Sequence, residues 1–242
     1  MTTTYPSTPA PAAPLAAREG HPPDARAPAV GAIPDGEVRH VTAHGVPVFE
    51  ATYRDGLRHG PSRLYDATGR LLQEAGYEDD LPHGTTTLYI DGQAVCSHQY
   101  RRGVLEGETL CYAASGAICA RLPYRDGRLH GRALFFQDDQ LLRRACYRAG
   151  RLDGPCEDFD ADGHPVQTAH YRDGALHGPF IRYWPNGGKM EERLYEAKRG
   201  VVATRRFDPQ GREARREAVH EAGTSAPRAE KWARGLEKWV RG

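Results

Sequence analysis

The sequence lacks a long apolar run, an excess of charge of either sign, a paired-cysteine spacing and the common catalytic signatures. Each absence removes a class of function. Lys and Arg number 33 against 32 Asp and Glu, and a net charge of +1 gives no electrostatic basis for nucleic-acid binding. The five cysteines, Cys96, Cys111, Cys119, Cys146 and Cys156, contain no C-x-x-C pair and often stand beside apolar or aromatic residues. They read as reduced, core-like thiols rather than a disulfide framework. The first twenty residues show no cationic start followed by an apolar run, so no Sec signal is expected and the cytoplasm is the expected compartment. G-x-S-x-G, P-loop and H-E-x-x-H patterns are missing, which makes an enzyme the least favoured class and leaves no cofactor to expect. A chain 39% hydrophobic and 27% charged is too polar for a membrane span, yet its middle is too patterned for wholesale disorder.

What is present is repetition. The stretch Tyr53-Arg54-Asp55-Gly56-Leu57-Arg58-His59-Gly60 returns in altered form at Tyr77, Tyr100, Tyr124, Tyr147 and Tyr171, with spacings of 24, 23, 24, 23 and 24 residues, and a worn copy follows at Tyr195. A glycine precedes most of these tyrosines by 8 residues, from Gly45 before Tyr53 to Gly187 before Tyr195. Each unit therefore has two turns and two strands. The first turn is Asp-Gly or a relative (Gly56, Gly103, Gly127, Gly150 and Gly174 supply its glycine), a pair suited to the positive φ angles of a type I′ hairpin. The second is longer and ends in Gly, as in Asp66-Ala67-Thr68-Gly69 and Asp160-Ala161-Asp162-Gly163.

Folding about Asp55-Gly56 predicts Ala51 opposite Gly60, and folding about residues 66–69 predicts Gly60 opposite Ala75. Gly60 and its equivalents Gly84, Gly107, Gly131, Gly154 and Gly178 would then leave room for a neighbouring tyrosine ring. The same register places the Tyr53 series on one face and Tyr65, Tyr89, Tyr112, Phe136, Phe159 and Tyr183 on the other. The expected fold is all-β: an elongated antiparallel single-layer ribbon that advances roughly 9.6 Å per unit and runs on the order of 60 Å. A ribbon of this kind suits binding better than a deep catalytic pocket.

The array spans residues 37–211. Before it, residues 1–36 are rich in Pro and Ala and read as a disordered tail. After it, residues 212–242 form a charged segment in which Trp232, Leu236, Trp239 and Val240 make the apolar stripe of a short amphipathic helix, with Arg228, Lys231, Arg234, Lys238 and Arg241 on its polar side. That helix suits capping of the sheet, docking on a partner, or contact with an anionic membrane.

Three groups of residues carry chemistry-bearing side chains in a recurring or paired pattern. His59, His83, His130 and His177 recur one residue before the second glycine, but units roughly 9.6 Å apart cannot place neighbouring histidines on one ion, whose ligand atoms lie within about 5 Å of each other. Glu106 and Asp153 hold the same position, so it reads as a polar strand site with no metal. Asp79-Asp80 and Asp138-Asp139 read as turns rather than acid/base or calcium pairs. Tyr183-Trp184-Pro185, beside Arg182, adds a large ring next to a turn, and Arg182 and Trp184 are the candidate partner-binding residues of the array, with Trp232, Leu236 and Trp239 those of the C-terminal helix.

The pattern Tyr-x-Asp-Gly-x-x-His-Gly followed by Tyr and a Gly turn, as in Tyr171 to Gly187, resembles the MORN-repeat variant of the bacterial YwqK-type antitoxin family, and the resemblance covers about residues 38–211. Departures from it are Asp80 where Gly is usual, Asp139 where Gly closes the second turn, and the spacing at Lys198-Arg199-Gly200. The resemblance implies a ribbon of MORN-like β-hairpins that binds another protein, often a toxin or secreted effector made beside it. The expectation is a non-catalytic module that neutralises, chaperones or delivers such a partner. A membrane-associated scaffold using the basic Trp-containing helix is the alternative, and a glycan-binding sheet using exposed rings is the third reading.

Overall fold

In a computed structural model, which describes residues 35–197 and 199–214, the chain forms one 17-stranded antiparallel sheet. The first strands are β1 (Gly36–Val41), β2 (Pro47–Arg54), β3 (Leu57–Tyr65), β4 (Leu71–Glu78), β5 (Leu81–Ile90) and β6 (Gln93–Arg101). They are followed by β7 (Val104–Leu105), β8 (Gly107–Tyr112), β9 (Ile118–Arg125), β10 (Arg128–Leu129), β11 (Gly131–Gln137) and β12 (Gln140–Arg148). The last are β13 (Arg151–Phe159), β14 (Pro165–Arg172), β15 (Ala175–Tyr183), β16 (Lys189–Glu196) and β17 (Gly200–Arg206). Successive strands pair, so the sheet is an up-and-down meander; β7 with β8, and β10 with β11, are single strands interrupted at Glu106 and His130.

Turn chemistry sets the repeat length. At the first turns both central residues have positive φ, as at Asp55 (52°) and Gly56 (75°) or Asp126 (50°) and Gly127 (70°), which is the type I′ geometry that matches strand twist. The second turns are of two lengths. In Asp66–Arg70 the Asp66 amide bonds the Arg70 carbonyl, the Gly69 amide bonds the Asp66 carbonyl, and Gly69 sits at φ 85°. Asp91-Gly92 and Asp138-Asp139 are instead two-residue turns with positive φ at both positions. Those shorter turns fall inside the two 23-residue units, so the alternating spacing is the loss of one loop residue.

The strand register differs from the expected one. Tyr53 faces Arg58 as a two-residue hairpin requires, but Ala51 faces Ser62, and it is Ser62 that faces Ala75. Gly60 instead lies opposite Tyr77. The cause is a bulge: residues 59–61 of β3 oppose Thr52 alone, with Gly60 at φ 106°. Pro61, Pro155 and Pro179 follow the bulge glycines, where a missing N–H is tolerated. The displacement is two residues, so side-chain parity survives. Tyr65 donates its hydroxyl to Glu50 (2.7 Å), whose neighbour Ala51 points the other way, so the Tyr53 and Tyr65 series do occupy opposite faces.

The core is a single row running across the strands. Ala51, Ser62, Ala75, Thr86, Thr109, Leu122, Ala133, Ala145, Cys156, Ala169 and Phe180 are all buried and successive members face each other, with His98 completing the row between Thr86 and Thr109. Small residues let the flanking tyrosines close over the row: Tyr171 packs with Ala145, Cys156, Ala169 and Phe180, and Tyr147, Leu152, Leu176 and Tyr195 surround them. Burial raises the phenol pKa of Tyr100 and Tyr124 accordingly.

Candidate functional site

The repeats are joined along the edge that carries the first turns. The Gly127 amide bonds the Leu105 carbonyl, Gly150 bonds Leu129 and Gly174 bonds Leu152, so each hairpin tip hangs on the preceding unit. The polar position before the second glycine adds a side-chain link. Glu106 accepts the Asp126 amide (2.9 Å), Asp153 accepts the Asp173 amide (3.3 Å), and His59 reaches the Asp79 carboxylate (3.3 Å). The recurring histidines are thus distributed along this edge, no more than one per unit, with His59 against Asp79 and His83 against Glu78 (2.9 Å).

Four residues before each repeat tyrosine lies a second row on the ring face, which repeat spacing alone does not mark. In the C-terminal units it is polar. Arg143, 8% exposed, forms a two-point pair with Asp158, which also accepts the Gln167 amide (3.2 Å). Burial works against the guanidinium charge, but hydrogen bonds to Asp158 and its charge outweigh that and raise the Arg143 pKa above its ordinary value. Glu191, 5% exposed, bonds Arg193 (3.1 Å) and Arg206 (3.4 Å). Counting by two from each tyrosine finds these residues once the bulge is known.

In the middle units the same row holds Cys96 facing Cys111, both buried, with sulfurs 3.6 Å apart. All five cysteines are free thiols. The contact favours ionisation of one partner: hydrogen bonding from Cys111 and nearby His98 lower the Cys96 pKa, and the same contact with burial raises that of Cys111. Cys156 is pushed up to about 11 by burial.

Of the residues singled out for partner binding, Arg182 is exposed on the ring face between Gln167 and Glu191. Trp184 is half-buried and its indole N–H donates to the Phe207 carbonyl (3.0 Å), while Asn186 donates to the Pro209 carbonyl (2.7 Å), so this turn is tied to the one after it. Trp232, Leu236 and Trp239 lie outside the described residues, as do residues 1–34 of the N-terminal tail. Among the described residues one group offers three metal-type ligand atoms within 4.8 Å, Asp160, Asp162 and His164. It is a second turn in which one oxygen of Asp160 accepts the amides of Asp162 (3.0 Å) and His164 (2.8 Å), as Asp66 does in its own turn. No helix of the described residues is long and apolar enough to cross a membrane.

A depression of about 420 Å³ opens on the first-turn edge between the tips at 148–151 and 172–175, lined by Arg148, Asp153, His170, Tyr171, Arg172, Asp173 and His177. The His177 Nδ1 there is buried with no hydrogen-bond partner among the described residues. No curated protein matches the chain. Residues 176–197, which cover β15, its turn and β16, match the MORN repeat variant family, and the same bulged hairpin recurs through the sheet from β2 onward.

Proposed function

We propose that this is a non-catalytic, cytoplasmic protein-binding module that neutralises, chaperones or delivers one protein partner, namely a toxin or secreted effector, in the manner of the YwqK-type antitoxins its repeats resemble. The observation that supports this reading is the open sheet of similar hairpins: its faces and turn edges repeat one backbone frame at regular intervals, which suits recognition of an extended protein surface. The mechanism is steric. A face or edge of the array covers the surface through which the partner acts, and the energy comes from a few central aromatic and arginine contacts.

The test is recovery of the tagged full chain from its host cell beside a variant lacking residues 224–242. The reading predicts one stoichiometric protein that harms the cell when expressed without this chain. Recovery of lipid alone, lost in the shortened variant, would replace it with a membrane scaffold.

A further inference from the structure

The hairpin tips are not electrically alike. In the first units Arg58 pairs with Asp80 (2.9 Å), while Asp79 lies against His59 (3.3 Å) and Glu78 against His83 (2.9 Å). Across the next four tips seven arginines stand beside four carboxylates, Glu106, Asp126, Asp153 and Asp173. Arg125 stands directly opposite Arg128, and Arg148 directly opposite Arg151, as the last cross-strand pairs before their turns. Like charges so placed repel. Arg101, Arg102 and Arg172 extend the row, and all seven are exposed. Among the described residues only Arg148 of the seven has an ion pair, with Asp153 (2.9 Å).

Side-chain repulsion retained at consecutive tips points to an anion supplied from outside. The row is a line rather than a plane, because each turn is one hairpin wide and tips recur at roughly 9.6 Å. In a polyproline II chain every third side chain returns to the same side after about 9.3 Å, so carboxylates at that interval meet successive tips. All the cations in the row are arginine, whose planar fork takes a carboxylate through two parallel bonds. The depression between Arg148 and Arg172 lies on this line, and Asp153 within it is already held by Arg148 and the Asp173 amide, leaving Arg172 toward an incoming group, with His177 on the wall.

We propose that this arginine edge binds an extended acidic segment of the protein partner, with one of its carboxylates seated in the depression beside Arg172 and His177. The inference rests on the partner-binding reading above and names the surface and the chemistry of recognition.

The experiment is a titration of the full chain with a synthetic proline-rich peptide of about fifteen residues carrying Glu at every third position, with phosphatidylserine vesicles and a single-stranded DNA oligonucleotide in parallel. The expected result is saturable, salt-sensitive peptide binding that falls about tenfold or more in an R125Q/R128Q/R151Q/R172Q variant whose melting temperature is unchanged or higher. A variant that binds the peptide as well as the parent overturns the inference, and so does capture of vesicles or DNA without the peptide. The same variant separates the two readings: if it still recovers the toxic partner from cells, the edge is wrong and the function stands. If the peptide binds through these arginines but no partner is recovered, the edge stands and the function falls.

Discussion

Arg143 and Asp158 face each other across β12 and β13, joined by two side-chain hydrogen bonds, one of 2.9 Å, with Gln167 donating to the same carboxylate. The pair lies beside a core row of alanines and cysteine, and its burial makes either half costly without the other. Asp158→Ala is predicted to destabilise the sheet by about 3 kcal/mol or more, because it removes the carboxylate that balances a buried guanidinium charge. Replacing both residues together, as Arg143→Met with Asp158→Leu, should cost far less. Urea unfolding of the two variants checks this, and equal losses in both would contradict it.

Glycine is required for two separate reasons. A Cβ on Gly76 would lie 2.3 Å from the His83 backbone carbonyl oxygen, whereas a Cβ on Gly84 would meet nothing within 4 Å but must adopt φ 79°. Gly76→Ala should therefore cost about 3 kcal/mol through overpacking, and Gly84→Ala about 1 kcal/mol through backbone strain. Thermal unfolding ranks them; the reverse order would show that conformation outweighs space here.

Cys156 gives a pH signature. Burial holds its thiol pKa at about 11, above the ordinary 9.0, so the folded chain binds that proton more tightly than the unfolded chain. Its contribution is present below pH 9 and is lost as pH rises toward 11, by on the order of 2 kcal/mol. Cys156→Ala should flatten the fall in stability over that window relative to the parent, since the buried tyrosines titrate in both. Identical slopes would contradict the assignment.

Trp184 anchors the last hairpins through its bond to the Phe207 carbonyl. Trp184→Phe should lose about 1–2 kcal/mol. Because each unit contacts only its neighbours, hydrogen exchange should rise in β16 and β17 and stay unchanged in β2 to β6. Faster exchange throughout would mean that the array unfolds as one body.

Much of this architecture was legible in the sequence, because turn residues and tyrosines recur at fixed intervals and each has a direct conformational meaning. Asp55-Gly56 specifies its hairpin by itself, and the two faces follow from alternation. The pairing of Ala51 with Ser62 was not legible, since a bulge adds residues without changing hydrophobic parity, and Gly60 reads alike as a gap for a ring or as the bulge itself. The Arg143–Asp158 pair was hidden for the same reason: its partners become neighbours only once the bulge is counted. Trp184 was conspicuous by type, but its bond to Phe207 spans 23 residues and depends on the stacking of successive turns.

The central claim, that the array exists to hold one protein partner, is tested most directly by co-purifying the full chain from its host and expressing the recovered protein with and without it. The account predicts a single stoichiometric partner whose toxicity or insolubility is relieved by this chain. A chain recovered alone, with no protein bound in a co-expression screen, would contradict it.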